Sequence, residues 1–291
     1  MSSPEFDFAV LIPARNEEAT IGRIVDECNR YCRKILVIDD GSSDKTGIEA
    51  SHAGASVVKN LKPAGLGAAL ELGIEHLKKD GVAVIVTLDG DGAHDPAFIP
   101  SLLHHHASNE ADLTLGSRFL NEPLAIDVPS PKRAANFFAT SLVAAITGTD
   151  LTDVISGMRV LGPKVLNLKP KRTDYGFSQA LVVQAIQNGL SISESPIAVR
   201  YDADNLFCTG KQELFENISF SIQISDNVDI RRQLFMLRTH VERLSRVSIS
   251  IAGRLVVLHP IPEHNGFIFQ FQSPWYAQLQ EEADISPLIR F

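Results

Sequence analysis

The stretch Val82-Ala83-Val84-Ile85-Val86-Thr87-Leu88, followed at once by Asp89-Gly90-Asp91-Gly92-Ala93-His94, decides how this chain reads. Val82–Leu88 is apolar on both faces, as a strand is when helices cover both sides of a parallel sheet. Working back from it, Phe8–Ile12, Lys34–Asp39 and Ala55–Lys59 read as further strands. Between them Ala19–Cys32, Lys45–Ala53 and Leu66–Lys79 read as helices. This β-α-β-α-β alternation predicts an α/β fold, a mostly parallel sheet flanked by helices. Sheets of that kind bind ligands beyond the carboxyl ends of their strands. Three polar segments should therefore converge on one edge: Pro13-Ala14-Arg15-Asn16-Glu17-Glu18, Asp39-Asp40-Gly41-Ser42-Ser43-Asp44, and the Asp89–His94 segment.

The whole chain is consistent with such a domain. Its 291 residues are 44% hydrophobic and 21% charged, which excludes disordered and low-complexity classes. Net charge is −8, nearly all of it in the first 204 residues, with no run of Lys and Arg. A sequence-independent grip on nucleic acid needs clustered positive charge, so no nucleic-acid partner is expected. Cys28, Cys32 and Cys208 are too few and odd in number for a disulfide framework, which points to a reducing, cytoplasmic setting. Cys28 and Cys32 read as core-facing residues of one helix, and His104-His105-His106 as a solvated surface. The opening MSSPEFDFAV lacks the pattern of a signal peptide. The apolar stretch Phe137–Gly148 is shorter than the roughly 20 residues a membrane-spanning helix needs, so no transmembrane segment is expected.

The texture changes near residue 205. Ile218, Phe220, Ile222 and Ile224 alternate with polar residues, and Ile230, Leu234, Leu237, Val241 and Leu244 form one helical stripe. Val247–Ile251 and Arg254–Leu258 flank Ala252-Gly253 as a hairpin, and Phe267, Phe269 and Phe271 alternate again. Residues 1–204 thus read as the catalytic domain and 205–291 as a small α/β appendage without a catalytic motif. Its helical stripe is either core or the seam of a homodimer.

Asp89 and Asp91 stand one residue apart at a strand end, where two carboxylates can share a divalent cation with diphosphate oxygens. Oxygen donors suit Mg²⁺ or Mn²⁺. Asp39 and Asp40 add acceptors for a base or ribose at the neighbouring strand end, and Arg15 and Glu17 can face the same nucleotide. No GxGxxG follows the first strand, which disfavours a dinucleotide dehydrogenase.

Seven segments in this order carry a resemblance: Ile12–Glu18, Val37–Asp44, Gly65-Leu66-Gly67-Ala68-Ala69, Leu88–His94, Gly116-Ser117-Arg118-Phe119, Thr152–Arg159 and Glu194-Ser195-Pro196-Ile197. Over residues 6–201 the chain resembles family-2 inverting glycosyltransferases of the GT-A fold, and most of all the polyprenyl-phosphate branch, the dolichyl-phosphate mannose synthase-like enzymes. The resemblance implies a nucleoside pocket lined by Pro13, Arg15, Glu17 and Asp40 with Asp39 in support. It implies that Asp91 binds the metal, with Asp89 approaching ribose or sugar and sharing that metal. Arg118, Arg133 and Arg159 would serve the acceptor phosphate or donor diphosphate. Lys62 would stand in for the basic residue of the glycine-rich segment, where this chain has Leu66. Relatives carry an acid near Tyr175-Gly176-Phe177-Ser178-Gln179-Ala180; here none is present, which leaves Asp153 as the candidate base. Ala93 replaces a polar family residue, with His94 beside it, and Asp202–Lys211 departs from the family's closing segment.

The function expected is Mg²⁺- or Mn²⁺-dependent inverting transfer of a sugar from a GDP- or UDP-sugar donor. The acceptor expected is a polyprenyl phosphate reached by peripheral contact at the cytoplasmic membrane face. Transfer to a saccharide hydroxyl and a non-catalytic nucleotide-sugar binding protein are the alternatives.

Overall fold

The computed structural model describes residues 7–120, 128, 136, 139–140, 143–144, 147–170 and 176–200, together with the backbone of residues 247–251, 254–261, 266–271 and 288–289. The chain divides into two compact units, Met1–Asn136 with Leu151–Leu206, and Phe137–Asp150 with Phe207–Phe291.

The first unit is built in the order β1 (Phe8–Ala14), α1 (Ile21–Cys28), β2 (Ile35–Asp39), α2 (Thr46–His52), β3 (Ser56–Lys59), α3 (Leu66–Lys79), β4 (Val84–Thr87), α4 (Ile99–Ser108), β5 (Leu113–Ser117), β6 (Arg159–Leu161), α5 (Phe177–Gln187) and β7 (Ile192–Pro196). Its seven strands lie in the order β3-β2-β1-β4-β6-β5-β7. All run parallel except β6, which is antiparallel to both β4 and β5. The mostly parallel sheet flanked by helices is the architecture expected from the alternation of strands and helices. Leu11 in the interior strand β1 pairs with Leu36 on one side and Thr87 on the other. Its neighbours Ala9, Val10 and Ile12 are fully buried, as strands covered on both faces must be.

The helices bury regular stripes. Ile21, Ile24, Val25 and Cys28 form the i, i+3, i+4, i+7 face of α1. In α3 the stripe includes Gly73, where helix and sheet approach so closely that a Cβ would lie 2.2 Å from Leu11 Cδ1. In α4 the same spacing joins Ile99, Leu102, Leu103 and His106. His106 is therefore buried, unlike the solvated His104, and the sequence reading of that triplet as wholly surface is corrected. Its Nδ1 lies 2.9 Å from Thr114 Oγ1, which lies 2.9 Å from Ser193 Oγ, a polar link across α4, β5 and β7.

Because β1, β2 and β4 are parallel neighbours, their carboxyl ends meet. The Asp40 amide donates to Ala14 O at 2.9 Å and the Leu88 amide to Leu11 O at 3.1 Å. The three polar segments thus leave one sheet edge together.

In the second unit the described strands β8 (Val247–Ile251), β9 (Arg254–Ile261), β10 (Gly266–Phe271) and β11 (Leu288–Ile289) form an antiparallel sheet in the order β11-β10-β9-β8. Ile251 pairs with Arg254, which is the hairpin expected around Ala252-Gly253. The expected strand over 218–224 and the stripe over 230–244 lie outside the described residues, as does Arg133.

Candidate active site

The first wall of the site is a seam between the loops after β1 and β2. Asn16 takes a left-handed conformation, φ 55°, of the kind Asn tolerates. Its amide donates to Ser42 Oγ at 3.0 Å while its Oδ1 accepts from the Ser43 amide at 2.9 Å. The Glu17 amide donates to Thr46 Oγ1 at 2.7 Å, and the Lys45 amide to Glu18 Oε2 at 3.0 Å. Pro13 is buried at the end of β1, Glu17 is half-buried, and Arg15 and Lys62 are exposed.

Asp39 and Asp40 divide their work. Asp39 Oδ1 accepts from the Ser42 amide at 2.8 Å and closes the turn. Its Oδ2 stands 3.3 Å from Lys59 Nζ, a charge contact without hydrogen-bond alignment. Asp40 accepts from Asn60 Nδ2 at 2.9 Å, from the Ala64 amide at 2.9 Å and from the Gly65 amide at 2.8 Å. The Asp40 carboxylate therefore anchors the glycine-rich loop that carries Lys62. Gly41, at φ 71°, passes under Pro63 with room for no side chain, since a Cβ would lie 2.8 Å from the ring.

The second element is the loop after β4. Thr20 Oγ1 at the start of α1 donates to Gly90 O at 2.7 Å and pins the loop to the first wall. Asp91 is buried and its Oδ1 accepts from the Ala93 amide at 2.9 Å. The Asp89 side chain is about one third exposed, with Oδ2 3.4 Å from His94 Nδ1. His94 is buried, and among the described residues neither ring nitrogen has a hydrogen-bond partner. Burial lowers its pKa most strongly, opposed first by the charge of Asp89, with Arg118, Asp91 and Asp153 also acting on it. The loop is fastened on its far side, where the Arg200 amide donates to Ala93 O at 2.9 Å and Arg200 Nη2 donates to Asp95 Oδ2 at 2.6 Å.

The third element faces it. Arg118, just past β5, pairs side-on with buried Asp153: Nε to Oδ2 at 2.6 Å, Nη2 to Oδ1 at 2.8 Å, and the Arg118 amide to Oδ2 at 3.0 Å. A two-pronged pair of this kind fixes the guanidinium plane. One residue earlier in both segments, Ser117 Oγ lies 2.6 Å from Thr152 Oγ1. Arg159 is also buried, but its guanidinium points at backbone: Nε to Ser156 O at 2.7 Å, Nη1 to Ser178 O at 2.8 Å and Nη2 to Val154 O at 2.7 Å. Burial pulls its pKa down to about 10, opposed first by Asp153 and then by Asp89, so it stays charged at neutral pH. The loop it holds carries Gly157, whose carbonyl accepts from Thr87 Oγ1 at 2.8 Å.

Asp89, Asp91, Arg118, Asp153 and Arg159 thus share one electrostatic neighbourhood with His94. Both oxygens of the Asp153 carboxylate are taken by Arg118. Sequence reasoning missed Glu194, which accepts from the Thr152 and Asp153 amides, and Gly157, on which Asp89 rests. Each was visible only as a letter in a longer motif.

Among the described residues no group of three or more His, Cys, Asp and Glu side chains is gathered to hold a metal ion alone. The Asp89-x-Asp91 pair fits a cation held jointly with phosphate oxygens, because its donors are hard carboxylate oxygens. Among the described residues no helix is long and apolar enough to cross a membrane.

Carboxylates at the carboxyl edge of a mostly parallel sheet, facing a fixed arginine, define an α/β enzyme of the GT-A glycosyltransferase class. The sequence matches the glycosyl transferase family 2 profile over residues 9–166, and the chain belongs to that family and is a glycosyltransferase. It is 32% identical over 200 residues to the polyprenol monophosphomannose synthase of Mycolicibacterium smegmatis, covering 65% of this chain and 75% of the relative. It is 27% identical over 215 residues to the UDP-N-acetylglucosamine–dolichyl-phosphate N-acetylglucosaminyltransferase of Methanococcus voltae, covering 66% and 85%. The crystal structure of Mycobacterium tuberculosis glucosyl-3-phosphoglycerate synthase in complex with Mn²⁺ and UDP-glucose superposes with a TM-score of 0.57, covering 92% of this chain and 86% of that one at 20% identity. That likeness is one of fold.

Proposed function

We propose that residues 1–204 transfer a sugar, with inversion, from a nucleotide-diphosphate sugar to a polyprenyl phosphate, and that residues 205–291 are an appendage outside the chemistry. The observation that carries the acceptor is the engagement of Asp153: both its oxygens are bonded to Arg118, which gives it the part of an anchor for the guanidinium and not that of a general base. A hydroxyl acceptor needs a general base, whereas a phosphate monoester is already anionic near neutral pH and needs none. Relatives named for polyprenol and dolichyl phosphates support the same choice.

In this reading the nucleoside lies against Pro13, Arg15, Glu17, Asp39 and Asp40, with Lys62 above it. Asp91 and Asp89 would hold Mg²⁺ or Mn²⁺, which when bound neutralises charge on the departing diphosphate. The acceptor phosphate oxygen forms a bond to the anomeric carbon as the bond from that carbon to the diphosphate oxygen breaks. The electron pair leaves on the nucleoside diphosphate, and no proton moves. Arg118 holds acceptor or diphosphate charge through its planar fork, and Asp153 fixes the plane. Arg159 shapes the floor. The protein would meet its lipid acceptor peripherally, at the cytoplasmic membrane face.

The test is a transfer assay with GDP- and UDP-sugars against short polyprenyl phosphates and against saccharides, with Mn²⁺ or Mg²⁺. Glycosyl polyprenyl phosphate is the product expected. Transfer to saccharides alone would overturn the acceptor assignment.

A further inference from the structure

We propose that Glu194 is a positioning residue for the anion-handling face of the site, acting on Arg118 through Thr152 and Asp153. This rests on the reading given above in its acceptor form, in which Arg118 holds the acceptor phosphate. Glu194 projects from β7, where it pairs in register with Leu115, the middle residue of the strand β5 that delivers Arg118. Its Oε1 accepts from the Thr152 and Asp153 amides, both at 2.9 Å. Its Oε2 accepts from the Thr152 amide at 2.9 Å and from Thr152 Oγ1 at 3.0 Å. Asn136 Nδ2 caps the other side of the same peptide, donating to Thr152 O at 2.8 Å.

The two residues that Glu194 grips are the two that grip the loop after β5. Thr152 meets Ser117 and Asp153 meets Arg118, so a single carboxylate sets the height and rotation of a double bracket. Sequence separation does not supply this rigidity, because Arg118 and Asp153 are 35 residues apart. A bracket needed only for packing would be met by a neutral amide or hydroxyl at lower desolvation cost. Here the position holds a carboxylate in half-buried surroundings, beside the like charge of Asp153. Arg118 is the cation hydrogen-bonded to that second charge, which ties the setting of Glu194 to the seating of Arg118. Misplacing a charged group by about 1 Å can cost roughly 100-fold in rate.

The experiment is a double-mutant cycle of Glu194→Gln, Asp153→Asn and the double variant, read as KM for the acceptor, KM for the donor and kcat with a short-chain polyprenyl phosphate. Glu194→Gln is expected to raise acceptor KM or lower kcat by roughly tenfold, the loss of about one charged hydrogen bond, with donor KM within about twofold of wild type. The double variant is expected to be little worse than Asp153→Asn alone, because both act through Arg118. Equal losses for donor and acceptor, or multiplicative effects in the cycle, would overturn the proposal. If Glu194→Gln does not fold, Glu194→Asp keeps the charge on a shorter reach and carries the same cycle. If the wild type transfers only to saccharide hydroxyls, the acceptor reading fails by itself, and the cycle is run on that reaction, where coupling or additivity still decides the role of Glu194.

Discussion

The Asp89 carboxylate rests on the α-carbon of Gly157, so closely that a Cβ there would stand 2.2 Å from Oδ2 and 2.4 Å from Oδ1. The absence of a side chain at Gly157 is therefore what lets Asp89 occupy its position at the end of β4. Gly157 does not need a left-handed conformation; what it supplies is space.

Gly157→Ala is accordingly expected to push Asp89 aside and lower kcat/KM by about 10- to 100-fold, since small misplacements near reacting atoms are costly. Asp89 is partly exposed and can move toward solvent, so thermal stability should change little. A variant with wild-type activity would show that the Asp89 position is not needed.

Asp91→Asn keeps an oxygen for the Ala93 amide but loses charge. Calorimetric titration of UDP and GDP is expected to show binding strengthened by Mn²⁺ in the wild type and not in this variant. Metal-strengthened binding that survives the substitution would remove Asp91 from the metal site.

For Arg159 the expectation separates support from ligand binding. Arg159→Lys replaces a fork matched to three carbonyls with a single ammonium, and unsatisfied buried groups cost about 1–3 kcal/mol each. Denaturant midpoints should fall clearly, while nucleoside diphosphate affinity of the folded fraction stays near wild type. Unchanged stability with lost affinity would instead make Arg159 a diphosphate ligand.

His106 should leave a mark on acid stability. Burial holds its pKa below the ordinary value of 6.5, opposed first by the charge of Asp112. A group with a lowered folded pKa contributes stability that is present above the unfolded pKa and is lost as pH falls through the folded one. Wild-type stability should therefore drop more steeply than that of His106→Gln as the pH falls below 6.5, measured by denaturant titration at each pH. Parallel curves would show that His106 titrates alike in both states.

What the sequence disclosed follows from the range of the interactions involved. Val82–Leu88 and Lys34–Asp39 announce buried strands by local composition, and Leu66–Lys79 announces a helix by its pattern. The convergence of Asp39, Asp40, Asp89 and Asp91 then follows from parallel pairing. The antiparallel insertion of the three-residue strand β6 between β4 and β5 has no local signature. The resemblance assigns Arg159 to phosphate, and nothing local in the sequence shows that its guanidinium also bonds three carbonyls of the surrounding backbone. The triplet His104-His105-His106 hid one inward residue, since helical period sorts neighbours onto different faces. Asp153 and Glu194 were legible as acids, but which partner occupies each acid depends on contacts 35 to 42 residues away.

The place of β6 in the sheet also bears on how the chain is made. The partners that β1 to β4 find in one another are all synthesised by residue 87, but the open side of β4 has to wait for β6, and the Gly157 carbonyl that meets Thr87 lies 70 residues further along. During that interval of translation the apolar margin of β4 has no strand to pair with, the kind of edge on which nascent chains stick to one another or recruit chaperones. Closure of the sheet and assembly of the Arg159 floor are then one late event, so the catalytic edge is completed only after most of this unit has been synthesised.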